Sequence, residues 1–205
     1  MQWWIKTART MCAAVALVGA ASLARAADVT MPFGGQPQLE ALSGTYASVG
    51  AENWYRGYGT RTFTFDKGKW SLTFVYALDP AMTQKVFEFH TEGPYKVVAK
   101  SAKVDGAFDT TFYEDVKAVT LRTTDTRLVE AMGLAGCNLQ LNVRTDISKS
   151  GCARWKPVAQ CREDHDLLAV DAAGKLFFGV RPADNDMCTP DKRPTALLPA
   201  VIKKN

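Results

Sequence analysis

Acidic side chains flank a histidine in the segment Glu163-Asp164-His165-Asp166. Carboxylates beside an imidazole are able to transfer protons or to bind a metal ion near neutral pH. Metal ligands on a strand must share a face, however, and the only other histidine, His90, lies far earlier in the chain. The pattern therefore favours a polar start to a strand that continues into Leu167, rather than a metal site or an acid–base centre.

Two further patterns are each typical of a chemical site but lack essential parts. A serine hydrolase places its nucleophile in a G-x-S-x-G turn, and neither Ser43-Gly44 nor Ser150-Gly151 has that context. The segment Asp184-Asn185-Asp186 resembles part of a calcium loop, but the central glycine and the later glutamate are missing. We therefore predict no catalytic residue, no metal ligand and no cofactor.

Aromatic side chains recur at alternate positions in three consecutive segments, residues 60–66, 70–77 and 84–92. A period of two is typical of a strand with one buried face. If these strands are neighbours, nine side chains lie together on one face of the sheet. They are Phe63, Phe65, Trp70, Leu72, Phe74, Tyr76, Phe87, Phe89 and Tyr95.

This aromatic face has two interpretations. A closed small barrel needs a filled core, and the residues taken alone favour that interpretation. The alternative is that the same side chains line a cavity for an apolar ligand, as in eight-stranded carriers.

Turn residues separate the strand-like segments at regular intervals. Asp66-Lys67-Gly68-Lys69 predicts a hairpin in which glycine supplies a positive φ. Gly93-Pro94 predicts a turn before Tyr95, residues 108–121 are again β-rich, and residues 167–169 and 176–180 flank a turn at 171–174. The pattern predicts an all-β fold, an antiparallel barrel or strongly curled sheet similar in character to lipocalins.

One segment changes to helical spacing. Asp125 is suited to an N-cap, apolar residues follow at helical intervals, and Gly133 is suited to the end of a helix. We predict one short helix at residues 125–133.

The first 26 residues have the features of an export signal. Lys6 and Arg9 precede an apolar stretch at residues 11–23, and Ala24-Arg25-Ala26 is suited to cleavage. We expect residues 1–26 to be a signal peptide, residues 27–41 a poorly ordered arm, and residues 42–202 a single β domain. No later stretch is long and apolar enough for a membrane-spanning segment. The predicted location is the periplasm or the secreted medium.

Loss of the signal changes the charge. Residues 1–26 carry three positive charges and no negative one, so the formal charge falls from +4 to +1. A nucleic-acid-binding protein needs a basic surface, and this chain then has little net positive charge, so we predict no nucleic-acid partner.

Four cysteines follow the signal, namely Cys137, Cys152, Cys161 and Cys188. An even number in an exported chain predicts two disulfides, with three possible connectivities.

The order of short motifs along the chain resembles one known family. The carboxyl-terminal motifs are Cys137, Asp146-Ile147-Ser148, Gly151-Cys152, His165-Asp166-Leu167-Leu168, Leu176-Phe177-Phe178-Gly179 and Arg193-Pro194-Thr195. The amino-terminal motifs are Gly44-Thr45-Tyr46, Arg61-Thr62-Phe63-Thr64-Phe65, the aromatic segment 70–76, Asp79-Pro80 and Gly93-Pro94-Tyr95. Together they are similar to the adenomatosis polyposis coli down-regulated domain, the extracellular unit of animal Wnt inhibitors, over most of residues 42–201.

The resemblance implies the disulfide pairs Cys137–Cys152 and Cys161–Cys188. It also implies a non-enzymatic binding protein that holds a lipid or other apolar ligand in a cavity lined by the nine side chains, because the family engages a lipid-modified signal. The main alternative is a structural or protein-interaction module with a filled core that forms a homodimer. An enzyme of unknown class is the third hypothesis.

Overall fold

The computed structural model describes residues 34–205, and strands make up most of its regular secondary structure. The predicted signal peptide lies outside these residues. Within them, no helix is long and apolar enough to cross a bilayer. The helices and strands are α1 (Gln36–Glu40), β1 (Gly44–Ser48), β2 (Glu52–Trp54), β3 (Gly57–Asp66), β4 (Lys69–Ala77), β5 (Lys85–Lys100), β6 (Phe108–Tyr113), β7 (Val116–Leu121), α2 (Thr126–Ala131), β8 (Arg144–Asp146), β9 (Glu163–Val170), β10 (Leu176–Phe178) and β11 (Val201–Lys203).

Eight of the strands close into an antiparallel barrel in the order β3, β1, β11, β10, β9, β6, β5 and β4, with β4 returning to β3. Strands β2, β7 and β8 extend the sheet beyond this ring. The predicted all-β barrel is therefore confirmed. Closure leaves no free edge within the ring, so none of its eight strands offers unpaired backbone groups along a whole side.

The aromatic strands are neighbours, as their alternation predicted. In the β3–β4 hairpin Phe65 pairs with Trp70 and Phe63 with Leu72. In the next pair of strands Phe74 lies opposite Phe89 and Tyr76 opposite Phe87. The β3–β4 turn has positive φ at both Lys67 (49°) and Gly68 (79°). That geometry gives a hairpin turn the same twist as its strands, which keeps this register.

The predicted turn at Gly93-Pro94 is wrong, because both residues lie inside β5, a strand of 16 residues. Strands β7 and β6 pair in succession along one edge of β5, and Gly93 and Pro94 face the break between them. A proline lacks an N–H donor, so it is tolerated where the ladder is interrupted. A Cβ at Gly93 would collide with the carbonyl oxygen of Tyr113, so glycine is required at this close approach.

The predicted helix at residues 125–133 is confirmed as α2. The Asp125 side chain accepts hydrogen bonds from the N–H groups of Arg127 and Leu128, and Gly133 has φ 72°. An N-cap carboxylate and a glycine at the end are the local signals that bound a helix.

A second short helix, α1, occupies part of the predicted arm. Leu39 of α1 is fully buried among barrel side chains. Its carbonyl oxygen accepts a 2.7 Å hydrogen bond from the Tyr95 hydroxyl. The described part of the arm is therefore ordered, because it covers the barrel core at one end.

Both implied disulfides, Cys137–Cys152 and Cys161–Cys188, are present. The first ties the segment after α2 to the loop that precedes β9, and the second joins the approach to β9 to the loop after β10. Two disulfides fit an oxidising compartment.

The described residues form three buried hydrophobic clusters, of which a small one around Leu167 and Ala169 lies on the outer face of β9 and two larger ones lie inside. The first fills the barrel near α1 and includes Phe65, Tyr95 and Phe112. The second lies at the other end of the aromatic strands and includes Phe74 and Phe87, covered by residues 128–155. Leu72 packs against both clusters.

Candidate functional site

A cavity of about 960 Å³ lies in the described part of the chain and is lined by members of both clusters. Ligand pockets in proteins commonly have volumes of roughly 300–1,000 Å³. Strands β3, β4 and β5 form one wall of the cavity. The opposite wall comes from the region around β6 and β7, from β9, and from the loop after β10.

Seven of the nine predicted ligand-binding side chains line this cavity: Phe63, Trp70, Leu72, Phe74, Tyr76, Phe87 and Phe89. We call them the aromatic wall. The other two, Phe65 and Tyr95, are in the filled barrel core. Phe65 is only 1% exposed, and its ring packs at right angles against Tyr46 and Tyr95, with centroids 6.0 and 5.2 Å away. Sharing a face of the sheet is therefore not enough to reach the cavity.

Two tryptophans that the sequence analysis did not select also line the cavity. The Trp155 ring stacks on Phe89, with centroids 4.6 Å apart and planes 5° apart, and meets Phe87 edge-on. Trp54 packs edge-on against Phe74 at 5.0 Å. Trp155 lies in the covering segment, where strand periodicity offers no signal, so only the tertiary structure reveals its role.

Charged side chains form the opposite wall, which we call the polar wall: Glu114, Lys117, Asp164, Asp166 and Arg181. The sequence analysis took the acidic segment of β9 as a polar strand start. The strand does start there, and Asp164, Asp166, Leu168 and Val170 occupy every second position of it. Leu168 and Val170 belong to the barrel core, so all four side chains point inward. This spacing can be read from the sequence, and it indicates that the two aspartates share a face with the apolar residues of β9.

Glu114 and Lys117 form a buried ion pair at 2.7 Å. The Lys117 ammonium also donates to the carbonyl oxygens of Lys156 (3.1 Å) and Cys161 (2.6 Å). All three of its donors are therefore used inside the protein. Burial, reinforced by the charge of Asp164, raises the pKa of the Glu114 carboxyl, and Lys117 opposes that shift.

Asp164 and Arg181 form a bidentate pair, with Nη1–Oδ2 and Nη2–Oδ1 distances of 2.8 and 3.0 Å. Arg181 Nε donates to the Asn185 side chain at 2.6 Å. Two parallel charge-assisted hydrogen bonds fix both partners in orientation. The polar wall is thus largely made of pairs that neutralise each other.

Asp166 is held differently, by backbone groups. Its Oδ1 accepts hydrogen bonds from the N–H of Leu167 (2.7 Å) and of Gly179 (2.9 Å). Burial, followed by repulsion from Asp164, raises the pKa of Asp166 to about 7, while Arg181 opposes the shift. This carboxyl therefore changes charge near neutral pH.

Arg61 lies at the edge of the aromatic wall and is only 3% exposed. Its guanidinium forms a bidentate pair with Glu52 at 2.8 and 2.7 Å and donates to the Pro199 carbonyl oxygen at 2.7 Å. Nη1 has no hydrogen-bond partner among the described residues. The guanidinium also lies 5.9 Å from the centroids of the Trp54, Phe63 and Phe178 rings.

Neither histidine lines the cavity. His165 contacts Thr111 and Arg193, and burial, together with the Arg193 charge, lowers the pKa of its imidazole. His90 contacts Thr73 and the carboxylate of Glu92. Strand alternation places both imidazoles on the face opposite the aromatic and polar walls.

The acidic loop that was compared with a calcium site is at the rim of the cavity. Asp186 pairs there with Lys156 (3.0 Å) and with Lys192, and hydrogen bonds from Lys192 and then Lys156 hold the pKa of Asp186 well below its usual range. Across residues 34–205, no group of three or more His, Cys, Asp or Glu side chains is arranged to hold a metal ion.

The two walls differ in chemistry. The aromatic wall offers apolar contact to a ligand, and the polar wall offers hydrogen bonding.

No protein-family model and no curated protein matches this chain.

Proposed function

We propose that this protein is an exported, non-enzymatic binding protein that holds a lipid or other apolar ligand in its barrel cavity. The observation that carries the proposal is a cavity of about 960 Å³ with seven side chains of the predicted set on one wall. Aromatic surface of this kind binds apolar ligands because their transfer out of water is favourable.

Burial of a ligand's apolar surface supplies a favourable free energy of binding. A ligand that buries about 250 Å² of apolar surface gains about 6 kcal/mol at roughly 25 cal/mol per Å². Part of that gain offsets the loss of translational and rotational freedom on association. Because about 6 kcal/mol corresponds to a Kd of about 40 μM before that loss, a single alkyl chain is expected to bind in the high-micromolar to millimolar range unless polar contacts add to it.

The open cavity also weighs against the alternative of a module with a filled core. A filled core places side chains in contact throughout and leaves few voids larger than a water molecule. Here the filled part of the barrel ends near Phe65 and Phe112, and the space beyond them is lined but not filled.

Native mass spectrometry of the purified protein, together with titration by the neutral apolar dye N-phenyl-1-naphthylamine, tests the proposal. We expect either a copurified lipid mass or a saturable rise in dye fluorescence with one site per chain. A protein that shows neither, and whose mass doubles with concentration, would instead support the homodimeric module.

We also propose, from the order of the sequence motifs alone, that the chain is a relative of the adenomatosis polyposis coli down-regulated domain. Four of the five amino-terminal motifs fall in β1, β3, β4 and β5, whereas Asp79-Pro80 lies between β4 and β5. The motif at residues 176–179 begins in β10. A structure-based superposition on that domain tests this relationship. A different strand order in the animal domain would reject it.

A further inference from the structure

The chemical class of the ligand's polar end follows from the polar wall, if the proposed function holds. Three buried carboxyl groups line that wall, those of Glu114, Asp164 and Asp166. Among residues 34–205, two cations face them at ion-pair distance, Lys117 with Glu114 and Arg181 with Asp164. Buried charges in proteins are normally paired, so Asp166 is the exception in this wall.

Asp166 is only 5% exposed, yet it lines the cavity. Its Oδ1 accepts both of the backbone hydrogen bonds described above. In the part of the chain that the structure describes, both hydrogen bonds to the carboxylate go to Oδ1 and none goes to Oδ2, and the residue lines the cavity. One carboxylate oxygen is thus anchored, and the other is free to accept a hydrogen bond.

The backbone is adapted to this arrangement. A Cβ at Gly179 would collide with Asp166 Oδ1 and with the Pro194 ring. Only glycine lets the N–H at this position approach the carboxylate closely enough to donate. The anchoring of Asp166 is therefore built into the chain at two separate positions, one in β9 and one just after β10.

Neighbouring cations cannot serve Asp166 without leaving other partners. The three donors of Lys117 are used, and Arg181 is engaged by both oxygens of Asp164. Arg61 is paired with Glu52, and its remaining nitrogen, Nη1, makes no hydrogen bond to Asp166. Arg193 donates to the carbonyl oxygen of Asp166 rather than to its carboxylate.

We infer that the ligand is an amphiphile with a protonated primary amine, which donates to Oδ2 of Asp166 while its apolar tail lies on the aromatic wall. The ammonium supplies the counter-charge that the protein leaves out. A hydrogen bond between an ammonium and a carboxylate is roughly twice as strong as one between neutral groups. An anionic head group would instead be repelled by Asp166, while the cations of this wall, Lys117 and Arg181, are already paired.

The titration of Asp166 agrees with this assignment. Its pKa of about 7 in the empty protein reflects burial without a paired cation, with Asp164 adding repulsion and Arg181 opposing it. A bound ammonium would favour the charged carboxylate and so lower that pKa. Glu114 faces the same space, but Lys117 already supplies its counter-charge.

Three ligands of equal tail length separate the contributions: dodecylamine, dodecanol and dodecanoic acid. Each is titrated against N-phenyl-1-naphthylamine bound to the purified protein, and displacement of the dye is measured at pH 8.5, where the amine is protonated and Asp166 is ionised. We expect dodecylamine to bind at least about tenfold more tightly than dodecanol, and dodecanoic acid to bind most weakly.

The variant Asp166→Asn keeps the shape of the side chain and removes its charge, so the amine-to-alcohol affinity ratio should fall to about one. The matched control Asp105→Asn changes an exposed loop residue outside the cavity and should keep the wild-type ratio. Equal affinities for amine and alcohol in the wild-type protein, or a preference that survives Asp166→Asn, would overturn the inference and leave the proposed function intact. If the dye binds but none of the three ligands displaces it, or if the dye does not bind, the proposed function fails as well.

Discussion

Truncation of Phe74 distinguishes a cavity wall from a filled core. Its ring lines the cavity and packs edge-on against Trp54, with a more distant contact to Phe87 at 6.1 Å. A Phe→Ala change in a filled core typically costs about 3–5 kcal/mol, much of it from the void it creates. Phe74→Ala enlarges an existing space, so we expect a loss of about 1–2 kcal/mol in the free energy of unfolding.

The same change should weaken ligand binding. If the ring supplies about 50 Å² of contact with the ligand, its loss costs about 1.3 kcal/mol at roughly 25 cal/mol per Å². That corresponds to a roughly tenfold weaker affinity. Urea unfolding followed by tryptophan fluorescence measures the first quantity, and titration with N-phenyl-1-naphthylamine measures the second.

Phe65 provides the matched control, because it is an aromatic residue of the same hairpin that lies in the filled core. Phe65→Ala should cost about 3–5 kcal/mol and leave the dye affinity of the folded protein unchanged. The milder Phe65→Leu serves if the alanine variant does not fold. Equal stability losses at Phe74 and Phe65, with unchanged dye affinity in both variants, would refute the cavity interpretation.

Three further predictions concern charges and covalent links. The pKa of Asp166, about 7 in the folded state and about 4 when unfolded, means that the folded protein keeps a proton which the unfolded chain releases, so stability should fall as pH rises from about 4 to 7. Urea unfolding at pH 5 and pH 7.5 should show this fall in the wild type and a smaller one in Asp166→Asn. Glu52→Gln leaves the buried Arg61 charge unpaired and should cost about 3–5 kcal/mol in thermal or urea unfolding. Replacing Cys161 and Cys188 by serine opens a loop with a sequence separation of 27 and should cost about 3.5 kcal/mol in urea unfolding.

Controls separate these effects from general damage. For Glu52→Gln, the matched change is Asp115→Asn, which breaks the exposed pair with Arg162 and should cost less than about 1 kcal/mol. For Asp166→Asn, a pH dependence identical to that of the wild type would show that another group titrates. For the serine pair, unfolding unchanged from the oxidised wild type would contradict the predicted contribution of the disulfide.

Much of the local structure could be predicted because short-range signals agree with one another. The alternation in residues 70–76 determines which side chains of β4 point inward, and the register in the barrel follows it. Asp125 and Gly133 bound α2 by hydrogen-bond and backbone preferences that need no tertiary partner. Gly93-Pro94 was misjudged because its tolerance inside β5 depends on a break between two other strands.

By itself, then, the sequence determined the strand periodicity, which aromatic side chains share a face, and the position of α2, since these depend on neighbours a few residues apart. Only the tertiary structure decided which end of that face is filled. Phe65 and Phe74 obey the same alternation, yet α1 and the rest of the barrel pack around the first, while the second borders open space. The state of Asp166 in the polar wall also depends on the tertiary structure. This carboxyl becomes buried when β9 closes the barrel beside Gly179, and it stays unpaired because the cations near it already have partners. Packing around a closed barrel depends on volumes contributed by distant segments, and periodicity along one strand carries no information about them.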